Sequence, residues 1–283
     1  MSWLVFALAF WIGAWIFNAW LAHSRWWRSR PVRIAIPVLF GVTLIVLWEG
    51  LVRGFDVSPV ILPAPSAVAK TFTASTEVLW EDFRQTVLKG ALSGFAIGTA
   101  AALVTAVAID RSTFLTRGLL PIGNFVAALP IVGIAPILVG WFGFDWHSKA
   151  AVVVVMVYFP ILVNTVQGLR ETDAMQRDLM RTYAAGYTDT LIKLRLPAAL
   201  PFVFNGLKIA TTLALIGAIV AEYFGSPTRG MGFRISTGVG SLTIDLVWAE
   251  IAVSAMAGTA FYGLVAWLEK RVTFWHPSHR AND

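Results

Sequence analysis

The chain has 283 residues, of which 57% are apolar and only 13% charged, with a mean hydropathy of +0.71. A soluble domain of ordinary make-up carries about 25% charged residues, so this composition excludes most soluble classes. Twenty-two basic and 16 acidic residues give a formal charge of +6, and there is no cysteine. The basic residues flank apolar runs and form no single patch, which argues against nucleic acid as a partner; disulfides, thiolate nucleophiles and Cys-ligated zinc are excluded outright.

A helix crossing about 30 Å of hydrocarbon needs about 20 mostly apolar residues. Seven runs qualify in chain order, near 3–22, 32–52, 88–109, 118–141, 149–168, 202–222 and 246–268. Unbroken stretches such as 90–109 and 150–169 are unlike the alternating ten-residue segments of a membrane barrel. The fold class is therefore all-α and polytopic, with about seven transmembrane helices. The first run has no basic leader and no small-residue cleavage site, and reads as a span and not as a cleaved signal peptide.

Within the runs, Gly90, Gly94 and Gly98 recur every four residues and allow close helix approach, by default inside the chain. Pro121, Pro130 and Pro136 mark the fourth run as kinked or broken, which transporters tolerate where backbone faces a cavity. Asn124 and Asn164 are amides in apolar surroundings, suited to interhelical hydrogen bonds or to contact along a translocation path. Glu222 lies at the edge of the sixth run, where it would line the outer part of such a path or sit hydrated at the membrane boundary; Lys208 is expected to snorkel toward the cytoplasmic face.

Alternate connections differ in basic content. Those containing Arg25, Arg111, Arg177 and Lys270 carry fourteen Lys and Arg, and the other set seven, which places the first set and the C-terminus in the cytoplasm. Trp20, Trp26, Trp27, Trp141, Trp146, Trp267 and Trp275 cluster near span ends, as interfacial aromatic residues do. Of the two long connections, 53–87 contains Leu62-Pro-Ala-Pro-Ser66, with Ser66 placed to cap a short amphipathic helix.

The other, 169–201, reads Arg170-Glu-Thr-Asp-Ala-Met-Gln-Arg-Asp-Leu-Met-Arg-Thr-Tyr-Ala-Ala-Gly186 and then runs to Pro197-Ala-Ala-Leu-Pro201. Leu179, Met180 and Tyr183 share one helical face, opposite the charges. A turn over 184–186 follows, then a second short helix with Thr188 as candidate cap, ended by Pro197 for want of a backbone donor.

This loop resembles the EAA loop of the permease subunits of binding-protein-dependent ABC importers. Counting back from Pro197 puts Ala184 at the family's glycine and Asp178 at its glutamate, so both depart from the pattern. Leu62-Pro-Ala-Pro-Ser-Ala-Val68, Ala135-Pro-Ile-Leu-Val-Gly-Trp-Phe-Gly-Phe144 with Ser148-Lys149, Phe159-Pro-Ile-Leu-Val-Asn-Thr165 and Gly230-Met-Gly-Phe-Arg-Ile235 resemble, in order, segments of the nitrate, sulfonate, taurine and pyrimidine-precursor permeases. The resemblance implies a type I importer transmembrane domain: a six-helix core with one added N-terminal span. It implies a second permease chain, by default an identical one, with cytoplasmic ATPase subunits and an external substrate-binding protein, in a bacterial inner membrane. It also implies that the loop docks on the ATPase through Arg177, Asp178, Arg181, Thr182, Tyr183, Ala184, Ala185 and Gly186, closed by Pro197. The substrate would be a small nutrient of the sulfonate, taurine, nitrate or pyrimidine and vitamin-precursor type.

On this reading residues 1–31 are the added helix and its basic link, 32–84 the first core helix and an outer segment, 85–269 the permease domain with its loop at 170–201, and 270–283 a cytoplasmic tail. The chain has no P-loop, so ATP belongs to the partner and no cofactor is expected here. No H-E-x-x-H, no G-x-S-x-G and no intramembrane carboxylate pair supports an enzyme. His276 and His279 are separated by Pro277 without a third ligand, and His23 and His147 stand alone, so no metal site is expected. The alternative is a stand-alone secondary transporter or channel, whose internal repeats and mid-membrane charges are not evident here.

Overall fold

The computed structural model describes residues 2–27, 29–127, 129–225 and 228–275. Among them there are helices and turns and no strand. Six helical stretches are long and apolar enough to cross a membrane: Trp3–His23, Arg30–Gly54, Thr76–Arg111, Trp146–Arg170, Tyr187–Gly225 and Ile244–Val272. The remaining apolar run, expected over 118–141, is two shorter helices, α6 (Thr113–Ala127) and α7 (Ile131–Phe142). Pro130 holds the extended backbone before α7, with φ −68° and ψ 113°, and so sets the break.

The chain divides into two compact units. The first comprises residues 1–79 and 237–251. It contains α1 (Ser2–His23), α2 (Arg30–Gly54), α3 (Pro65–Ala74) and the opening turns of α13 (Ile244–Val272). Ala7 of α1 is fully buried against Gly50 of α2, and Leu4 packs on Gly54, so small residues set this helix pair. Most other large side chains of α1 remain exposed, which suits lipid. Trp48 packs on Trp248, with ring centroids 4.8 Å apart, and Thr71 donates a hydrogen bond to Asp245 at 2.6 Å.

Ser66 does not cap α3 as the sequence suggests. Ala64 is the N-cap residue, and Pro65 occupies the first helical position, where a missing N–H costs nothing. Ser66 instead donates its backbone N–H (2.9 Å) and its hydroxyl (2.7 Å) to the Glu49 carboxylate, which places an anion at the helix N-terminus.

The second unit comprises residues 80–236 and 252–283. Its centre is three long helices. The first begins as α4 (Thr76–Phe83), passes through a π-helical stretch (Arg84–Ala91) and continues as α5 (Leu92–Arg111). The second is α8 (Trp146–Arg170). The third follows two short helices, α9 (Ala174–Thr182) and α10 (Tyr187–Thr190), and a π-helical turn (Leu191–Arg195), and is α11 (Leu196–Gly225). Pro197 therefore does not end a helix. It falls in the first turn of α11, where its absent N–H is least missed, and the preceding π-helical turn absorbs the change of register.

Val153, Val157, Ile161 and Leu162 of α8 lie between the alanines of α5 (Ala102, Ala106) and of α11 (Ala210, Ala214, Ala218). A Cβ on Gly94 or Gly98 would strike Val153 or Val157, so the glycine face of α5 is used for contact with α8 within the chain. Beyond α11, α12 (Met231–Gly240) begins at the 230–235 motif.

Candidate functional site

The loop between α8 and α11 is built to stand out from the helical core. Asp173 caps α9 reciprocally with Gln176: the Asp173 carboxylate accepts from the first turn, and Gln176 accepts from the Asp173 backbone N–H at 3.2 Å. Arg177 donates to the backbone carbonyl and to the hydroxyl (3.1 Å) of Thr172, which joins the helix to the end of α8. At the other end Ala184 N–H donates to the Arg181 carbonyl (2.9 Å) and Ala185 N–H to that of Met180 (3.0 Å). That pairing is a Schellman cap, which requires a left-handed residue; Ala184 supplies it with φ +52°. The family pattern's glycine thus falls where only glycine is free of strain, and this chain carries the strain on alanine.

Met175, Leu179 and Tyr183, spaced by four, are 78%, 56% and 78% exposed, and no residue of α9 is buried. Among the described residues this apolar stripe on a capped helix is left uncovered. Arg177, Asp178, Arg181 and Thr182 surround it; Arg181 pairs with Asp178 at 3.1 Å on the surface. Ala184 and Gly186 are exposed and Ala185 half-buried. Gly186, not Thr188, is the N-cap residue of α10, whose single turn has no side-chain cap.

The base of the loop is held by residues not singled out in the sequence. Asp110, at the end of α5, receives Arg195 in bidentate fashion, Nη1 to Oδ2 at 2.7 Å and Nη2 to Oδ1 at 2.5 Å. Tyr187 Oη donates to the same Oδ2 at 2.8 Å, and Arg195 Nε donates to the Leu169 carbonyl at 2.9 Å. The Arg111 guanidinium lies 4.4 Å from the Tyr187 ring centroid. In the sequence Arg195 reads as one more basic residue beside a span, and nothing local announces its partner 85 residues away.

Residues 83–274 match the family described as "Binding-protein-dependent transport system inner membrane component". The chain belongs to that family. It is similar to a probable ABC transporter permease protein of Haemophilus influenzae, 33% identical over 85% of this chain and 97% of that protein. It is 31% identical to the formylaminopyrimidine transport permease protein ThiX of Halalkalibacterium halodurans, over 87% of this chain and 98% of ThiX. With the taurine transport system permease protein TauC of Escherichia coli the identity is 27%, over 89% and 93% of the two chains. As an ABC importer permease the chain is a multi-pass inner-membrane transport subunit and not an enzyme, and it works with an ATPase and a substrate-binding protein.

At the opposite end of the permease's three long helices lies a buried polar cluster. Asp82 and Thr86 are both fully buried. Asp82 accepts from Gly230 N–H at 2.6 Å and from Arg234 Nε at 2.8 Å. Thr86 accepts from Met231 N–H at 2.8 Å and donates to Glu222 Oε2 at 2.7 Å, which also accepts from Gly232 N–H at 3.1 Å. Glu222 is only 1% exposed, so it is neither hydrated at the membrane boundary nor open to a path within this chain; its carboxylate fastens the start of α12. Lys149, read from the sequence as a basic residue of an outer connection, is fully buried, donating to the carbonyls of Phe144 (2.5 Å) and Gly225.

The other candidates separate. Asn164 Nδ2 donates to the Pro160 carbonyl at 2.8 Å, and its Oδ1 accepts from Asn205 at 3.0 Å, an interhelical bond between α8 and α11. Asn124 lies on α6, but its side chain is outside the described residues, as are His276 and His279. Lys208 does not snorkel freely; it pairs with Glu269 of α13 at 2.8 Å.

Proposed function

We propose that α9 and the turn after it are the element through which the ATPase drives this permease. The observation that carries the reading is the exposed stripe Met175, Leu179 and Tyr183 on a helix capped at both ends and held at its base by Asp110 and Arg195. A short rigid helix fixed between two spans passes rigid-body motion to both. Arg177, Asp178, Arg181, Thr182, Ala184, Ala185 and Gly186 form the rest of the docking surface. The loop and the C-terminus face the cytoplasm, in keeping with the excess of basic residues in the connections on that side. Two copies of the chain enclose the path, to which Asn124 and Asn164 contribute. The N-terminal helix is an addition to the core; in keeping with this, the family match over residues 83–274 does not include it.

The substrate is a small polar nutrient. Relatives named for formylaminopyrimidine, riboflavin, taurine, aliphatic sulfonates and bicarbonate define that range. Thermal-shift screening of these compounds against its cognate binding protein would choose among them.

The docking reading is tested by co-expression with its cognate ATPase and purification in detergent. The native pair should stay together, whereas Leu179→Asp, or Asp178→Ala with Ala185→Arg, should lose the ATPase while the permease itself remains monodisperse. A native chain that purifies alone, and moves solute into liposomes without ATP, would overturn the reading in favour of a secondary transporter.

A further inference from the structure

The π-helical turn Leu191–Arg195 joins the exposed loop to α11, and a register break of this kind is a natural place for a helix to bend. Asp110 touches both sides of it. Its Oδ2 accepts from Tyr187, which precedes the turn, and from Arg195, which ends it. The same Arg195 guanidinium donates through Nε to the Leu169 carbonyl in the last turn of α8. One carboxylate and one guanidinium therefore tie three segments together: α5 through Asp110, α8 through Leu169, and, through Arg195 itself, the π-helical turn that leads into α11. Both side chains are largely buried, at 8% and 17% exposure, so the pair is little screened by water.

The covalent chain connects α9 to α8 and to α11 only. Its link to α5, whose glycine face packs along α8, is made by side chains alone. We propose that Asp110, Arg195 and Tyr187 are positioning residues for energy coupling: they brace the π-helical turn so that displacement of α9 reaches α5, α8 and α11 as one body. This rests on α9 being the docking element. Without the brace, α9 would pivot between Thr172 and the turn, and the ATPase would move the loop without moving the wall of the path.

The chain has no cysteine, so labels can be placed singly. Ala174→Cys on α9 and Val104→Cys on the exposed face of α5 would carry nitroxides in the complex with the ATPase, diluted with unlabelled chain so that distances within one copy are read. The expected result is one narrow distance, unchanged between the nucleotide-free complex and the complex trapped with ATP and vanadate. Asp110→Asn should split or broaden it on trapping, whereas Asp110→Glu, which keeps a carboxylate for Tyr187 and Arg195, should leave it narrow. Should Asp110→Asn fail to purify, Tyr187→Phe, which keeps the ion pair and unties one side of the turn, carries the same test. A native distance that shifts on trapping, or an Asp110→Asn distance that stays narrow, would overturn the brace while α9 remained the docking element. The Ala174 label alone separates the two ideas: if the ATPase leaves its mobility untouched, docking fails, and the brace falls with it.

Discussion

The two ends of the three-helix core use their polar residues in opposite ways. About 24 residues, or roughly 36 Å of helix, separate Thr86 from Asp110 along one continuous stretch. At the Thr86 end Asp82, Thr86 and Glu222 turn inward and hold the backbone N–H groups of Gly230, Met231 and Gly232. At the Asp110 end one buried clamp supports a helix whose apolar stripe, Met175, Leu179 and Tyr183, is exposed. The inward cluster serves the chain's own packing, where any added atom must displace something. The outward loop leaves its apolar stripe exposed and is held at its caps and its base.

That contrast predicts where substitution will be felt most. A Cβ on Gly232 would overlap the Ile219 carbonyl oxygen, and backbone cannot step aside as a side chain does. Gly232→Ala should therefore cost about 3 kcal/mol or more, seen as a large drop in the detergent melting midpoint. A variant that melts like the native chain would show that α12 is not pinned as described. Next comes the clamp. Arg195→Ala leaves the carboxylate of Asp110 with Tyr187 as its remaining hydrogen-bond donor in the clamp, and should cost about 3 kcal/mol, at the low end for a buried pair because Arg195 retains some solvent contact. An effect below about 1 kcal/mol, the range of exposed pairs, would move the clamp into the surface class.

The sequence carried the outline well, since hydrophobic length is local information: seven apolar runs, a break near Pro130 and a loop with an amphipathic helix can all be read without knowing what touches what. Partners distant in sequence are another matter. The third apolar run begins near 88, after Glu81, Asp82 and Arg84, yet the helix extends back to Thr76, and Asp82 pairs with Arg234, 152 residues away. No periodicity encodes that pairing. Lys149 likewise looks like a boundary charge until the carbonyls of Phe144 and Gly225 are found around it. Met175 is different. Its spacing of four from Leu179 and eight from Tyr183 is local sequence information, the same stripe one turn earlier.

The smaller effects belong to the loop. Asp173→Ala removes one half of a reciprocal cap and should weaken α9 by about 1 kcal/mol. Because no residue of α9 is buried, the global melting midpoint should barely move. The loss should appear as faster amide exchange over residues 174–182 and as weaker retention of the ATPase. If Asp173→Ala lowered global stability as much as Arg195→Ala, the loop would be part of the core and the contrast between the two ends would dissolve.

Ala184→Gly should act in the other direction and be smallest of all. Left-handed backbone costs an alanine about 1–2 kcal/mol. Glycine removes that strain but brings about 0.5–1 kcal/mol of extra chain entropy to the unfolded state. The difference favours glycine by about 0.5 kcal/mol, and since the φ of +52° is confined to the cap, the gain should slow amide exchange at the end of α9 and nowhere else. The substitution adds no contact with any partner, so a tighter hold on the ATPase would have to come from a better-formed helix. Slower exchange without tighter binding would mean that the cap is already fully formed when the ATPase arrives, and that its strain sets local stability alone.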